Sequence, residues 1–215
     1  YLYTSPKIID SSNIIFCANR HNSHYEILKD AFIEKKHIFC EKPIVTDIFS
    51  LENLINLYDS DIVFYTGYNR RFSPLVQKVK SYINENSIKI NSIVINLNPS
   101  ILPKDHWIYE KENGEGRLVS EVCHFVDLSN YFYENNVITC NRISKNKFRQ
   151  HPTDNFELNL KYFGNKNTQI NLMEKFNNET KERITLYSKN YCIEIIDFKK
   201  LTIFKNKKII YQKQN

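Results

Sequence analysis

The sequence predicts an α/β unit built on a parallel sheet, followed by an α+β unit whose sheet is mostly antiparallel. Three observations predict it. Three short apolar runs alternate with two helix-period segments over the first 65 residues, a Ser73-Pro74 helix start marks where that alternation stops, and five strand-like runs then surround one long helical stretch. The division is expected at residues 70/71, giving segments 1–70 and 71–215.

Each element has its own reason. Residues 13–18 (NIIFCA) form an apolar run too short for a helix and read as a buried strand, followed by the loop Asn19-Arg20-His21-Asn22. Ser23-His24-Tyr25-Glu26 fits a capping box, and a helix to about Lys36 is expected to bury Ile27, Leu28, Ala31 and Phe32. Residues 37–40 (HIFC) are a second strand, ended at Glu41-Lys42-Pro43 because proline cannot donate to a ladder. Thr46 is expected to cap a second helix in which Ile48, Leu51, Leu54, Ile55 and Tyr58 recur on one face, and residues 61–65 (DIVFY) are a third strand. Consecutive βαβ crossovers make a parallel sheet, which binds ligands beyond the C-terminal ends of its strands. Those ends carry Ala18-Asn19-Arg20-His21, Glu41-Lys42-Pro43 and Gly67-Tyr68-Asn69-Arg70-Arg71. Beyond Pro74, a favoured first helical residue, strands are expected at 90–97, 156–163, 168–176 and 183–187, with a hairpin over 191–210. The long helix is expected at 117–133.

Composition sets the outer limits. With 41% hydrophobic and 25% charged residues in 215, the chain is an ordinary globular protein and not a disordered one. It has neither the roughly 20-residue apolar run of a membrane span nor a secretory leader pattern, so a cytoplasmic protein is expected. The charge of +6 comes mostly from scattered lysines, with only seven arginines, which argues against a nucleic-acid surface. Five cysteines without a C-x-x-C pair read as reduced thiols, and no spacing resembles a zinc framework, so no metal is expected even at His21-x-x-His24. Only four glycines occur, and no phosphate-binding G-x-G-x-x-G can be drawn through them. The opening on Tyr1, with the single Met at Met173, leads to the expectation of a cut or trimmed piece.

Several residues could carry chemistry. Lys42, between a carboxylate and a proline at the sheet mouth, reads either as a lysine tuned for proton transfer or as a solvated loop lysine. On the long helix, Glu121, His124 and Asp127 are three apart and Ser120 is four before His124, either a site with an oriented imidazole or a surface cluster. Asp105-His106-Trp107, ahead of Gly114-Glu115-Gly116-Arg117, holds the single Trp, which either stacks on a sugar ring or anchors its loop.

Taken in order, "ANRHNSH", "HIFCEKPIVTD", "GYNRRFSP" and "GEGRLVSEVCHFVDLSNYF" resemble the Gfo/Idh/MocA family of NAD(P)-dependent oxidoreductases over residues 10–135, with Glu41-Lys42-Pro43 as its best-known mark. The stretch "LPKDHWIYEKENGEGRLVSEVCHFVDL" is most similar to a branch found in polysaccharide-gene settings, often fused behind a zinc-alcohol-dehydrogenase-like domain. The resemblance implies the second half of a Rossmann-type sheet followed by the family's α+β domain. It implies an oxidoreductase moving hydride between a hydroxyl carbon of a sugar or nucleotide-sugar and the nicotinamide of NAD or NADP. Lys42 and His124 are implied as catalytic, and Ala18, Asn19, Arg20, His21, His24, Glu41, Lys42, Asn69 and Arg71 as cofactor-binding. His106, Trp107, Arg117, Glu121 and Asp127 are implied to face the substrate. A homodimer or homotetramer pairing through the C-terminal sheet is the implied assembly. The family's first βαβ unit, with its G-x-G-x-x-G, is expected to precede residue 1, and weak or undetectable NAD(H) binding by this chain alone is the corresponding expectation. Ser120 stands where many relatives have Asp, and larger residues replace glycines of the nearest branch at 120–124. The other open reading is therefore a truncated or degenerate homologue that binds a sugar or a protein partner without redox chemistry.

Overall fold

In the computed structural model, which describes residues 6–110, 116–144, 155–173 and 180–214, the chain divides into two units: residues 1–68 with 105–123, and residues 69–104 with 124–215. The stretch 105–123, which the sequence places after the division at 70/71, is thus part of the first unit.

The first unit opens on α1 (Pro6–Ser11) and continues through β1 (Ile14–Cys17), α2 (His24–Ile33), β2 (His37–Cys40), α3 (Ile48–Leu57) and β3 (Phe64–Thr66). Its three strands are parallel in the order β1-β2-β3, with Cys17 beside Cys40 and Cys40 beside Thr66. The core joins Ile15, Cys17, Ile38 and Cys40 of the sheet to Ile27, Leu28, Ala31 and Phe32 of α2 and Leu54 of α3. Four of those are the α2 residues whose helical spacing predicts burial. Only alternate residues of β1 are buried: Ile15 and Cys17 are, while Ile14 and Phe16 are 55% and 73% exposed. Among the described residues helices cover one face, and on the other an aromatic row runs across the strands, Phe16 to Phe39 at 5.8 Å and Phe39 to Tyr65 at 5.8 Å.

Four local expectations are corrected. Ser23 makes no side-chain cap. Its backbone is already helical because the short 3-10 turn His21–Ser23 leads into α2, and its hydroxyl donates to the Arg20 carbonyl at 2.8 Å. A capping residue needs extended backbone, so the capping box with Glu26 does not form. The cap of α3 is Asp47, not Thr46: Asp47 is extended, and its Oδ1 accepts from the Ser50 amide at 2.8 Å. Of the predicted inner face of α3, only Leu54 is fully buried; Ile48, Ile55 and Tyr58 are exposed, and Leu51, Leu54 and Ile55 line an apolar groove of about 180 Å³ with Phe32 and Phe64. β3 begins at Phe64 rather than 61 because the Asp59 side chain and carbonyl accept from the Asp61 and Ile62 amides and hold a turn there.

The second unit contains α4 (Pro74–Glu85), β4 (Ser92–Leu97), α5 (Cys123–Tyr133, from His124 onward), β5 (Thr139–Ser144), β6 (Asn155–Tyr162), β7 (Lys166–Met173), β8 (Glu182–Tyr187), β9 (Tyr191–Ile196), β10 (Lys200–Lys205) and β11 (Lys208–Gln214). These strands form one sheet in the order β11-β10-β9-β8-β4-β7-β6-β5, antiparallel except for the parallel pair β4 and β7. Alternating residues such as Ile93, Ile95, Ile170, Leu172, Ile193 and Ile195 bury one face, with Val76 and Val79 of α4 and Phe125 and Leu128 of α5 also in the core. The expected hairpin over 191–210 is three strands, because Asp197-Phe198 and Asn206-Lys207 both take positive φ and turn the chain twice. β5 was not foreseen. Of the expected strand 168–176, residues 174–176 lie outside the described residues, as do Gly114 and Glu115. No helix among the described residues is long and apolar enough to cross a membrane.

Candidate active site

At the ends of the three parallel strands, backbone pairing continues one residue further. The Glu41 amide donates to the Cys17 carbonyl and the Gly67 amide to the Cys40 carbonyl, each at 2.8 Å. This sets Glu41 against Gly67, where an added Cβ would lie 3.1 Å from the Glu41 carboxyl carbon and both its oxygens. Only hydrogen fits comfortably beside that carboxylate. Glu41 Oε2 in turn accepts from the Lys42 amide at 3.3 Å.

The Lys42 ammonium is not free in water: Nζ donates to the Ser120 carbonyl, which belongs to a π turn, Leu118–Val122. Such wide turns carry an extra residue per hydrogen-bonded ring and recur at functional sites. The three-residue α-helical spacing that aligned Glu121 with His124 therefore does not hold through 118–122. The Ser120 hydroxyl, four residues before His124, bonds back to the Gly116 carbonyl at 2.8 Å and is spent on its own turn. Lys42's partner at Ser120 is a backbone atom and so invisible to a reading of side chains.

The other residues of the first unit sort into contacts. Arg117, expected to face the substrate, is 2% exposed and pairs with Glu121, another expected substrate residue, at 2.8 Å; the Glu121 side chain remains 35% exposed. Arg117 thus braces Glu121 from a buried position. Trp107 anchors its loop: His21 packs edge-on against it at 5.2 Å, the Arg20 guanidinium lies 5.8 Å from the ring centre, and His106 lies 5.8 Å away. His106 Nδ1 accepts from the Ile108 amide. The loop after β1 and the loop 105–109 are thus joined through aromatic contacts. His24, expected among the cofactor contacts, is fully buried, with one ring nitrogen on the Pro43 carbonyl and the other on the Asn19 carbonyl. It occupies an interior position between those two loops.

In the second unit, Asn69 and Arg71 lie on the short turn Asn69–Phe72. Arg71, read from the sequence as a cofactor contact, forms a two-pronged pair with Asp127, read as a substrate contact, through Nε at 3.0 Å and through Nη2. Its guanidinium also packs over Tyr131 at 5.3 Å. Arg70, not singled out by the sequence, bonds Glu182 at 2.6 Å and lies over Phe125 and Phe198. His124 is buried near the start of α5. Arg71–Asp127 fixes the turn to α5, since a bidentate guanidinium–carboxylate pair holds orientation as well as distance, and the single Arg70–Glu182 bond ties it to β8.

Two family models match this chain. Residues 3–66 match the oxidoreductase family with an NAD-binding Rossmann fold, and residues 71–157 match a putative oxidoreductase C-terminal domain. Among curated proteins, the chain is 29% identical over 90 residues to myo-inositol 2-dehydrogenase of Thermotoga maritima, covering 40% of this chain and 27% of that protein. It is 36% identical over 78 residues to an uncharacterised oxidoreductase of Bacillus subtilis, covering 34% and 22%. Among solved structures, levoglucosan dehydrogenase in complex with NADH and levoglucosan superposes with a TM-score of 0.84 at 17% identity, over 98% of this chain and 64% of that one. An inositol dehydrogenase homologue complexed with NAD+ from Azotobacter vinelandii gives 0.84 at 14% identity, over 97% and 59%. The chain thus spans less than two thirds of each of these proteins, and at these identities the structures share its fold.

Proposed function

We propose that this chain, which belongs to the Gfo/Idh/MocA oxidoreductases through the two segments those models match, serves an NAD(P)-dependent oxidation or reduction of a sugar or nucleotide-sugar hydroxyl carbon. The observation that carries the reading is the strand-end arrangement in the first unit: Glu41 seated on Gly67, and Lys42 with its ammonium fixed by a π-turn carbonyl. The residues fit a dinucleotide, because a carboxylate lodged against a glycine at parallel strand ends suits a ribose hydroxyl. Bound nicotinamide would supply the hydride-accepting or hydride-donating carbon.

The chain's own groups would do the rest. Lys42 as the neutral amine would take the hydroxyl proton on oxidation, and as the ammonium would return it on reduction and stabilise negative charge on that oxygen. His124 is proposed as a second catalytic residue, and Glu41 as the ribose contact. Asn19, Arg20, His21 and Asn69 would border the cofactor, while His106, Trp107 and the exposed part of Glu121 would border the sugar. A role in polysaccharide synthesis and a cytoplasmic location are proposed from the resemblance. A homodimer or homotetramer through the eight-stranded sheet is proposed too, and light scattering tests it.

The experiment is steady-state kinetics with isothermal titration on the protein as its gene encodes it. Lys42→Ala is expected to lower kcat by roughly 10²- to 10⁴-fold with cofactor affinity changed only a few-fold. Sugar binding without turnover in the unmutated protein would favour the non-catalytic homologue instead.

A further inference from the structure

A cavity of about 550 Å³ opens in the second unit between the C-terminal end of α4, the linker 86–91 into β4, the last turn of α5 and the turn from β6 to β7. That volume is in the range of small-molecule pockets. Its floor is apolar: Ile83, Ile88, Ile90, Phe132 and the ring of Tyr133 are all buried. Hydrogen bonds set its walls. The Ile88 amide donates to the Ile83 carbonyl at 2.9 Å, the Asn167 amide to the Asn91 carbonyl at 3.2 Å, and the Tyr133 hydroxyl to the Asn167 carbonyl at 2.5 Å. Gly164 leaves the mouth open, since a Cβ there would meet nothing within 4 Å.

The charge around this floor is one-sided. Among the described residues that line it, Lys80, Lys89 and Lys166 are cationic and Glu134 is the single carboxylate. Lys80 is fixed by the end of α5, where helix carbonyls lack partners of their own: it donates to the Tyr131 carbonyl at 3.0 Å and the Phe132 carbonyl at 3.4 Å. Lys166 places its ammonium 5.4 Å from the centre of the Tyr133 ring. Glu134 follows α5 directly, and although its side chain is 69% exposed, its Oε1 lies 2.6 Å from the Lys80 ammonium. Lys80 first, and Lys166 to a lesser degree, hold the Glu134 carboxyl below its ordinary range, so both cations act on the same point. A carboxylate with open water beside it that settles on these lysines marks where the pocket takes negative charge. Such an exposed pair gains little, so a stronger anion can displace it. We propose that this pocket binds a small phosphomonoester, its head among Lys80, Lys89 and Lys166 and its organic body on the isoleucine and aromatic floor. A phosphomonoester carries about −1.5 to −2 charge at neutral pH, which matches the excess of lysine over carboxylate better than a single carboxylate does. Lysine serves such a head as a point charge. His124 stands near the start of α5 and this pocket at its end, roughly 13 Å along the helix axis, so the pocket is separate from that residue.

The test is isothermal titration at low salt with phenyl phosphate, inorganic phosphate and phenol, on the protein as its gene encodes it. Phenyl phosphate is expected to bind saturably and roughly tenfold or more tighter than either fragment, because it alone fills both head and floor. Lys89→Gln and Lys166→Gln are each expected to weaken it several-fold, and Glu134→Gln to tighten it several-fold by removing the competing carboxylate. Lys29→Gln, in α2, is expected to leave it unchanged. Lys80 is spared because it also holds the α5 carbonyls. Amide NMR shifts on binding are expected at residues 88–91 and 164–167. Absence of saturable binding overturns the proposal. So does equal weakening in Lys29→Gln, which would mean diffuse attraction to a basic surface. Weaker binding in Glu134→Gln, or shifts confined to the strand ends at 18–20, 41–43 and 67–71, overturns it too. Tightening in Glu134→Gln cannot come from a damaged fold, so the outcome stands even where a lysine variant loses stability. Every readout is binding, so a failure of the proposed reaction leaves the result distinct.

Discussion

Lys42 draws its candidacy from two neighbours, the Glu41 carboxylate that accepts from its amide and the Ser120 carbonyl that accepts from its ammonium. A lysine so held has lost much of the rotamer freedom of a solvated side chain before any substrate arrives, which favours the proton-transfer reading over the loop-lysine one. Gly67 offers the sharpest test at this scale. In Gly67→Ala the new methyl would press on a flexible carboxylate at 3.1 Å, so Glu41 is expected to move by a few tenths of an ångström and the fold to survive. Cofactor affinity measured by titration is expected to weaken several-fold while the melting temperature shifts little. His124→Ala, like Lys42→Ala, is expected to lower kcat by roughly 10²-fold or more and to leave cofactor affinity within a few-fold. The residues legible in the sequence were those that a motif or a rare residue marks: Glu41 and Lys42 at a strand end, and His106-Trp107 at the single Trp. Arg117, Arg71 and Asp127 were legible as charged groups near motifs, but their partners lie four and 56 positions away and turn them toward each other.

Helix ends show why local patterns mislead by a residue or two. Both Thr46 and Asp47 satisfy the composition of a cap, and only backbone conformation selects Asp47. Asp47→Ala is expected to cost about 1 kcal/mol near neutral pH in thermal or denaturant unfolding. The Ser50 hydroxyl and amide hold the Asp47 carboxyl below its ordinary range. A depressed folded pKa contributes stability above the unfolded value and loses it as pH falls through the folded one, so the gap between Asp47→Ala and the unmutated chain is expected to close on acidification. Glu26→Gln is expected to stay within about 0.5 kcal/mol, because the capping box it would complete is absent. β9, β10 and β11 ran together in the sequence because Asp197-Phe198 and Asn206-Lys207 lack the glycine that marks most tight hairpins.

At the scale of the molecule, periodicity foretold a parallel sheet in the first unit and a mostly antiparallel one in the second, and both are present. What periodicity could not give is the place of β4 between β7 and β8, since strand order depends on long-range pairing and not on local spacing. The second unit carries an alkaline limit. Burial pushes the Tyr162 phenol from its ordinary 10.0 up to about 12 and raises Tyr133 beside it, the rings being 4.7 Å apart. A raised folded pKa contributes stability in full below the unfolded value and loses it as pH climbs through the folded one. Circular dichroism is therefore expected to show stability falling between pH 10 and about 12, and less steeply in Tyr162→Phe. The central claim is that the Glu41-Lys42 strand end serves nicotinamide chemistry on a sugar hydroxyl. Its most direct test follows nicotinamide absorbance with NAD⁺ and NADP⁺ against a panel of sugars and polyols, in the unmutated gene product and in Lys42→Ala. The account predicts turnover that falls by roughly 10²-fold or more in the variant while nucleotide still binds; undiminished turnover in Lys42→Ala would contradict it.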